Sequence, residues 1–258
     1  MPTSLTAIIP ARMASSRFPG KPLKKIRGLP MVEHVRRRAL LSGAFSRVCV
    51  ATCDEEIARA VQDYGGEVVM TSAAHEAATD RVREAARALS CEHVVNVQGD
   101  EALVLPQDLR EMASAIRRNP EIQAWNAVGP IDEERTLRDR SVVKCILSAG
   151  GRILFCARDF SFLNLPRQEG FEPVRVLLGI LAYRMDYLER YAHLSRTPLE
   201  KAESIDQSRI LEHDGILQGV PFHKSYPGIN LPAEAEVVER ILDSDPLQKE
   251  VLEKVLGP

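Results

Sequence analysis

Through the first half of the chain, short β-branched apolar runs alternate with stretches whose apolar positions recur at helical spacing. Thr6-Ala7-Ile8-Ile9 predicts a first strand, broken at Pro10. Apolar residues at 31, 32, 35 and 39 to 41 predict an amphipathic helix from Met31 to Leu41, starting near Pro30. Arg47 to Ala51 predicts the next strand. Asp54 is then expected to cap a helix that runs through Val61 and ends at Gly65-Gly66. Glu67 to Met70 predicts a short strand, Thr79 to Leu89 a helix, His93 to Val97 a strand, and Pro106 to Arg118 a helix. This alternation is the signature of βαβ units and a mostly parallel sheet.

The second half changes period. Val142 to Leu147 and Arg152 to Cys156, joined by Ala149-Gly150-Gly151, predict a β-hairpin. A strand is expected over Leu177 to Tyr183, a helix over Ser204 to His213, a strand over Ile216 to Phe222 and a helix over Ala233 to Leu242. The polar stretch Asn164 to Pro173 is expected to be a flap over a site. The fold class expected is α/β: a three-layer sandwich with a mostly parallel central sheet and an inserted antiparallel lobe over 142–195. One domain over 1–258 is expected.

The densest chemistry lies between the first strand and the first helix, in Pro10-Ala11-Arg12-Met13-Ala14-Ser15-Ser16-Arg17-Phe18-Pro19-Gly20-Lys21-Pro22-Leu23. Open α/β sheets bind ligands at that kind of strand-to-helix connection. Small residues such as Ala11 and Ser15 leave backbone N–H groups free to surround a phosphate chain, and Arg12, Arg17 and Lys21 supply positive charge. Gly20 permits close backbone approach. The P-loop pattern GxxxxGK[ST] is absent, so any phosphate binding here uses another geometry. Asp100 follows the strand His93 to Val97, where its carboxylate would project over the sheet's carboxyl edge as a hard ligand for magnesium. Read alone, Gly99-Asp100 is equally an ordinary turn pair.

Composition adds mainly exclusions. With 45% hydrophobic and 27% charged residues the chain is ordinary for a globular protein, and its net charge of -2 gives no electrostatic case for nucleic acid or an anionic membrane. Arg36-Arg37-Arg38 reads as a solvated helix face. No apolar run approaches the ~18 residues of a membrane span, and the short apolar N-terminal stretch has no basic region before it, so the expected compartment is the cytoplasm. Cys49, Cys145 and Cys156 sit in strand-like runs and read as buried free thiols. The scattered histidines give no zinc-ligand spacing.

The string PARMASSRFPGKPL resembles the nucleotide-binding loop of the CMP-Kdo synthetases (3-deoxy-manno-octulosonate cytidylyltransferases) and, less closely, of CMP-sialate synthetases. The resemblance continues in order through GLPMVEHV, VATCDEEIARAV, GGEVVMTS, HEAATDR, VNVQGDEALV, FCAR, LLGILAYR, ESIDQSR and GINLPAEAEVVERIL. It implies a nucleotide-diphospho-sugar transferase-like fold and transfer of a cytidylyl group from CTP to an acidic sugar in a homodimer. Its implied residue roles are Arg12 and Lys21 on the triphosphate, Asp100 on Mg2+, and Gln98 and Arg158 beside the sugar acid. Arg81 would add charge near nucleotide or sugar, although it also reads as an exposed helix-start arginine.

The departures from the family pattern fall on the sugar and second-metal side. The closing Gly-(Val/Ile)-Asp-Thr-Pro is Gly228-Ile229-Asn230-Leu231-Pro232, so Asn230 stands where the family has a metal-binding aspartate. HxSGTDR is His75-Glu76-Ala77-Ala78-Thr79-Asp80-Arg81, and Leu-Glu-Gln is Ile205-Asp206-Gln207. Leu177 and Leu181 replace a polar His and a Tyr near the sugar. Two explanations stay open at this point: a different, less hydroxylated acidic acceptor, or a silent nucleotide-binding homologue.

Overall fold

The apolar run Leu5–Ala11 forms strand β1, and every residue of it is buried. A parallel strand with neighbours on both edges and helices on both faces has no solvent face, so apart from Thr6 it is apolar. The structure, a computed structural model, describes residues 4–15, 17–163, 171 and 174–257. It divides into two units, Met1–Arg117 with Tyr226–Pro258, and Arg118–Ser225.

In the first unit β1 is followed by a 3-10 turn at Lys21–Leu23 and a short antiparallel pair, β2 (Lys25–Ile26) and β3 (Leu29–Pro30). Helix α1 (Met31–Leu41), strand β4 (Arg47–Thr52), helix α2 (Glu55–Asp63), strand β5 (Glu67–Met70), helix α3 (Ala78–Ala88), strand β6 (His93–Val97) and helix α4 (Pro106–Arg118) come next. The strands are parallel in the order β6-β1-β4-β5. β1 pairs with β4 from Thr6↔Arg47 to Ala11↔Thr52, and with β6 from Leu5↔His93 to Ile8↔Asn96. Right-handed crossovers put α1 and α2 on one face and α3 on the other, which is the three-layer arrangement expected. The chain winds from β1 out to β5 and then returns to β6 on β1's other edge. That reversal opens a crevice at the carboxyl ends of β1 and β6.

The second unit contains β7 (Ala124–Gly129), β8 (Lys144–Leu147), β9 (Ile153–Ala157), β10 (Val174–Arg184), α5 (Met185–Tyr191), α6 (Pro198–Glu203), α7 (Gln207–Glu212) and β11 (Leu217–Pro221). Its strand order is β11-β7-β10-β8-β9, antiparallel except for β11 on β7. The expected hairpin is present as β8–β9, with Lys144 opposite Ala157. Trp125, Tyr183, Leu188 and Ile210 are buried in this unit. The closing helices α8 (Pro232–Ser244) and α9 (Pro246–Leu256) belong to the first unit.

Several local expectations change. The helix expected from Ser204 starts at Gln207, because Ser204 takes a left-handed conformation (φ 55) that terminates α6. The flap expected over Asn164 to Pro173 lies outside the described residues, apart from Phe171. Arg36-Arg37-Arg38 is not a solvated face. Arg36 and Arg38 are buried, Arg36 makes a bidentate pair with Glu33, and Arg37 donates to the Val255 carbonyl of α9. The C-terminal helix covers that side of α1, and no sequence periodicity assigned it. Asp54 stands at the N-cap of α2, but its carboxylate makes no capping bond there, forgoing about 1 kcal/mol. Cys49, Cys145 and Cys156 are buried free thiols as expected, and burial pushes Cys49 and Cys145 up to about 12. Among the described residues no helix is long and apolar enough to cross a membrane.

Candidate functional site

At the carboxyl ends of β1 and β6 lies an open cavity of about 240 Å³. Arg12, Ser15, Arg17, Lys21, Arg81, Gln98 and Asp100 all line it, so the phosphate-side residues expected from the sequence converge in one place. Ala11, the last residue of β1, forms part of the wall.

The basic loop is folded around Met13. The Met13 carbonyl accepts the N–H groups of Ser15 at 2.8 Å and Gly20 at 3.1 Å, and the Phe18 N–H donates to Ser15 Oγ at 3.3 Å. Gly20 closes the loop at φ +72, a conformation that costs glycine little. Outside the loop, the Met13 N–H donates to Asp54 Oδ2 at 2.8 Å. The β1–β4 register explains this contact: Ala11 is opposite Thr52, so two residues further on each strand Met13 meets Asp54. From the sequence alone Asp54 reads as a helix cap. The signal that would have found its other role is its place at the carboxyl edge of the strand beside β1.

Asp100 is held from several directions. A Cβ on Gly99 would lie 2.9 Å from the Pro10 carbonyl, so only glycine lets the turn after β6 close against the end of β1. The Asp100 carbonyl accepts the Ile229 N–H at 3.2 Å. Beyond it, the fully buried side chains of Arg38 and Gln248 donate to the carbonyls of Val104 and Leu103 at 3.1 and 2.7 Å. Lys21 Nζ donates to Asp100 Oδ2 at 2.8 Å and to the Ile229 carbonyl at 2.9 Å. Arg17 donates to Asn230 Oδ1 at 2.9 Å, and the Asn230 and Leu231 N–H groups are fixed by Glu234. The two oxygen side chains expected on the metal side are thus each paired with a loop cation. Arg12 is exposed and makes no hydrogen bond or ion pair among the described residues.

On the opposite wall Arg81 is buried rather than an exposed helix-start residue, and it donates to Thr71 Oγ1 at 2.5 Å. His75, which also lines the cavity, meets Glu84 at 2.5 Å. Glu84 also accepts the Ser72 N–H, and these two contacts hold its carboxyl below the usual range. Among the described residues no cluster of three or more His, Cys, Asp or Glu side chains is placed around a metal position. One carboxylate and one amide oxygen are nevertheless a fitting donor set for magnesium, which takes its remaining ligands from phosphates and water.

Apart from Gln98, which lines the cavity of the first unit, the residues expected on the sugar side lie in the second unit. Leu181 on β10 is buried and stands opposite Asn126 of β7, while Leu177 is half-buried. Gln207 donates to Asn126 Oδ1 at 2.9 Å, and Asn126 Nδ2 donates to the carbonyls of Ala127 and Leu178. Asp206 is the N-cap of α7, and its carbonyl accepts the Tyr191 hydroxyl at 3.2 Å. Arg158 is held by other partners: its guanidinium donates to the carbonyls of Glu203, Arg140 and Ser204 at 2.7, 2.9 and 3.5 Å.

A parallel α/β sheet ending in a cation-rich, carboxylate-bearing crevice defines a nucleotidyltransferase-type protein. A sequence model described as Cytidylyltransferase matches residues 6–217, and the chain belongs to that family. It is 38% identical over 251 residues to a 3-deoxy-manno-octulosonate cytidylyltransferase of Geobacter metallireducens, covering 92% of this chain and 97% of that one. Over 256 residues it is 37% identical to the protein of the same name from Haemophilus influenzae, covering 94% and 100%. Among solved structures, a CMP:2-keto-3-deoxy-manno-octonic acid synthetase complexed with CTP superposes with a TM-score of 0.87 at 32% identity, covering 94% of this chain and 100% of that one. The resemblance read from the motifs therefore holds along the chain. A 4-diphosphocytidyl-2C-methyl-D-erythritol synthase from Anaerococcus prevotii, at 14% identity and a TM-score of 0.62, shares the fold.

Proposed function

We propose that this chain transfers the cytidylyl group of CTP to an acidic sugar of the 3-deoxy-manno-octulosonate class, releasing pyrophosphate. The observation that carries this reading is the pairing of Lys21 with Asp100 and Arg17 with Asn230 in a cytidylyltransferase crevice. In this reading those loop cations receive the triphosphate. The acceptor's anomeric hydroxyl attacks the α-phosphorus. The new P–O bond forms as the bond to the α–β bridging oxygen breaks, and the hydroxyl proton leaves to solvent. Arg12 and Lys21 neutralise the triphosphate and the departing pyrophosphate, and transfer of this kind relies on positioning and charge neutralisation. Arg17 and Arg81 add positive charge around the nucleotide, and Ser15 and Ala11 shape the loop. Asp100, with Asn230 as a weaker partner, would hold Mg2+, which when bound supplies charge neutralisation on the triphosphate. Gln98, which lines the same cavity, is assigned to the acceptor.

On the acceptor side, Asp206, Gln207 and Arg158 are the polar groups assigned to the sugar acid, with Leu177 and Leu181 as its apolar wall. Here one observation favours a narrower reading. The Arg158 guanidinium, the Asn126 amide and the Gln207 amide nitrogen are already bonded within the protein. A less hydroxylated or otherwise modified ulosonate would suit that wall better than the fully hydroxylated sugar. The protein works as a cytoplasmic homodimer in this proposal, with the 142–195 lobe as its interface. The test is pyrophosphate release with CTP, magnesium and a panel of ulosonic acids. Wild-type protein should release pyrophosphate with at least one acceptor, and Asp100→Ala should abolish release. Normal magnesium-dependent turnover by Asp100→Ala would remove the metal assignment.

A further inference from the structure

We infer that Asp54 is a positioning residue that fixes the shape of the phosphate-binding loop from the neighbouring strand. Met13 is the point on which that loop closes, because its carbonyl receives the N–H groups of both Ser15 and Gly20. From that point the loop is tied to another segment through the Met13 N–H, which donates to Asp54 Oδ2 at 2.8 Å. Arg12 precedes Met13 directly, and Lys21 follows Gly20 directly. A shift of Met13 therefore moves Arg12 and Lys21, the two cations proposed to neutralise the triphosphate.

Asp54 is itself oriented for this contact. Its own N–H donates to Thr52 Oγ1 at 3.1 Å, and the Cys53 thiol lies 3.6 Å from the same Oδ2 that receives Met13. The residue sits at the N-cap of α2, where a carboxylate ordinarily accepts a first-turn N–H, yet it makes no such bond. Its acceptor capacity is spent on the loop instead of its own helix. A hydrogen bond to an ionised acceptor is among the stronger ones, so a single contact can order a loop of this size.

The consequence for catalysis rests on the proposed cytidylyl transfer, while the geometry does not. Two substitutions separate loop positioning from helix stability. Asp54→Asn keeps a carbonyl oxygen at the same reach. Asp54→Ser supplies an excellent N-cap for α2, but its hydroxyl is one bond too short for Met13. In the full-length protein without ligand, amide hydrogen exchange over residues 11–21 should be faster in Asp54→Ser and near wild type in Asp54→Asn, with the thermal midpoint unchanged in both. In turnover, Asp54→Ser should raise KM for CTP about tenfold, and Asp54→Asn should restore most of it. Unchanged loop exchange in Asp54→Ser overturns the inference, as does equal acceleration in both variants. If wild-type protein releases no pyrophosphate with any acceptor, the functional reading fails, and the exchange measurement still decides the role of Asp54.

Discussion

Lys21 and Asp100 neutralise each other in the crevice. The ammonium donates to the carboxylate at 2.8 Å, and the two side chains keep only 17% and 24% of their surface exposed. The cation assigned to the triphosphate thus occupies the oxygen assigned to magnesium. Lys21→Ala should then act on the two ligands in opposite directions. CTP should bind about ten- to hundredfold more weakly, from loss of a charge-assisted phosphate contact. Magnesium alone should bind the ligand-free protein more tightly, because Asp100 has lost its counter-ion. Titration calorimetry with each ligand separately checks this, and weaker or unchanged binding of both would refute the exchange.

Asn230→Asp applies the same reasoning to the second pair. Arg17 donates to the Asn230 amide oxygen, and a carboxylate there would add the negative charge that the site lacks. Magnesium should bind the ligand-free variant more tightly than wild type, as read by calorimetry or manganese paramagnetic resonance. Turnover should also rise if the acceptor brings no negative charge to that side. Identical metal affinity in the two proteins would take Asn230 out of the metal site.

His34 makes acid stability measurable at one residue. It is fully buried on α1, its Nε2–H donates to the Ile26 carbonyl at 2.7 Å, and burial lowers its pKa to about 4. The folded protein resists protonation here while the unfolded chain accepts a proton near pH 6.5, so the unfolded state binds more protons between those values. Stability from this group is therefore complete above about pH 6.5 and declines as pH falls toward 4, by about 3 kcal/mol in total. Denaturant unfolding of wild type and His34→Gln at pH 7, 5.5 and 4.5 should show the gap between them narrowing with acid. A gap independent of pH would mean that His34 is not held neutral.

The phosphate side was legible because it is local in sequence. The loop from Pro10 to Leu23 and the turn at Asp100 each carry their chemistry in adjacent residues, and the strands before them are short, β-branched and mostly apolar. What escaped was decided by pairing between distant segments. Asp54 reads as a cap until the β1–β4 register places it beside Met13. Arg36 and Arg38 read as solvated until the Tyr64 and Val104 carbonyls are brought to them, and Arg37 until α9, whose pattern is too mixed to be assigned, is placed over the helix. β7 was missed because Asn126 interrupts its apolar run. That polar residue is buried only because Gln207 and the Leu178 carbonyl, both far away in sequence, satisfy its amide.

In the proposed function Leu177 and Leu181 form the apolar wall against the acceptor. Leu181 is buried opposite Asn126, whose amide donates to the Ala127 and Leu178 carbonyls and accepts from Gln207. Leu177 is half-buried on the same strand, and neither leucine can pair with a sugar hydroxyl. A hydroxyl placed against this wall loses its water partners and gains none, which costs about 1–3 kcal/mol per unsatisfied group. A less hydroxylated ulosonate escapes that cost, so its kcat/KM should exceed that of 3-deoxy-manno-octulosonate by about tenfold or more. Leu177→His offers a donor at the half-buried position without overpacking the core, and should shift the ratio back toward the hydroxylated sugar. Leu181→Tyr would force a larger ring into a buried site and should cost about 1–3 kcal/mol of stability, so it serves as the control for packing. If 3-deoxy-manno-octulosonate outpaces every less hydroxylated analogue in wild type, and Leu177→His leaves the ratio unmoved, this wall does not select the acceptor.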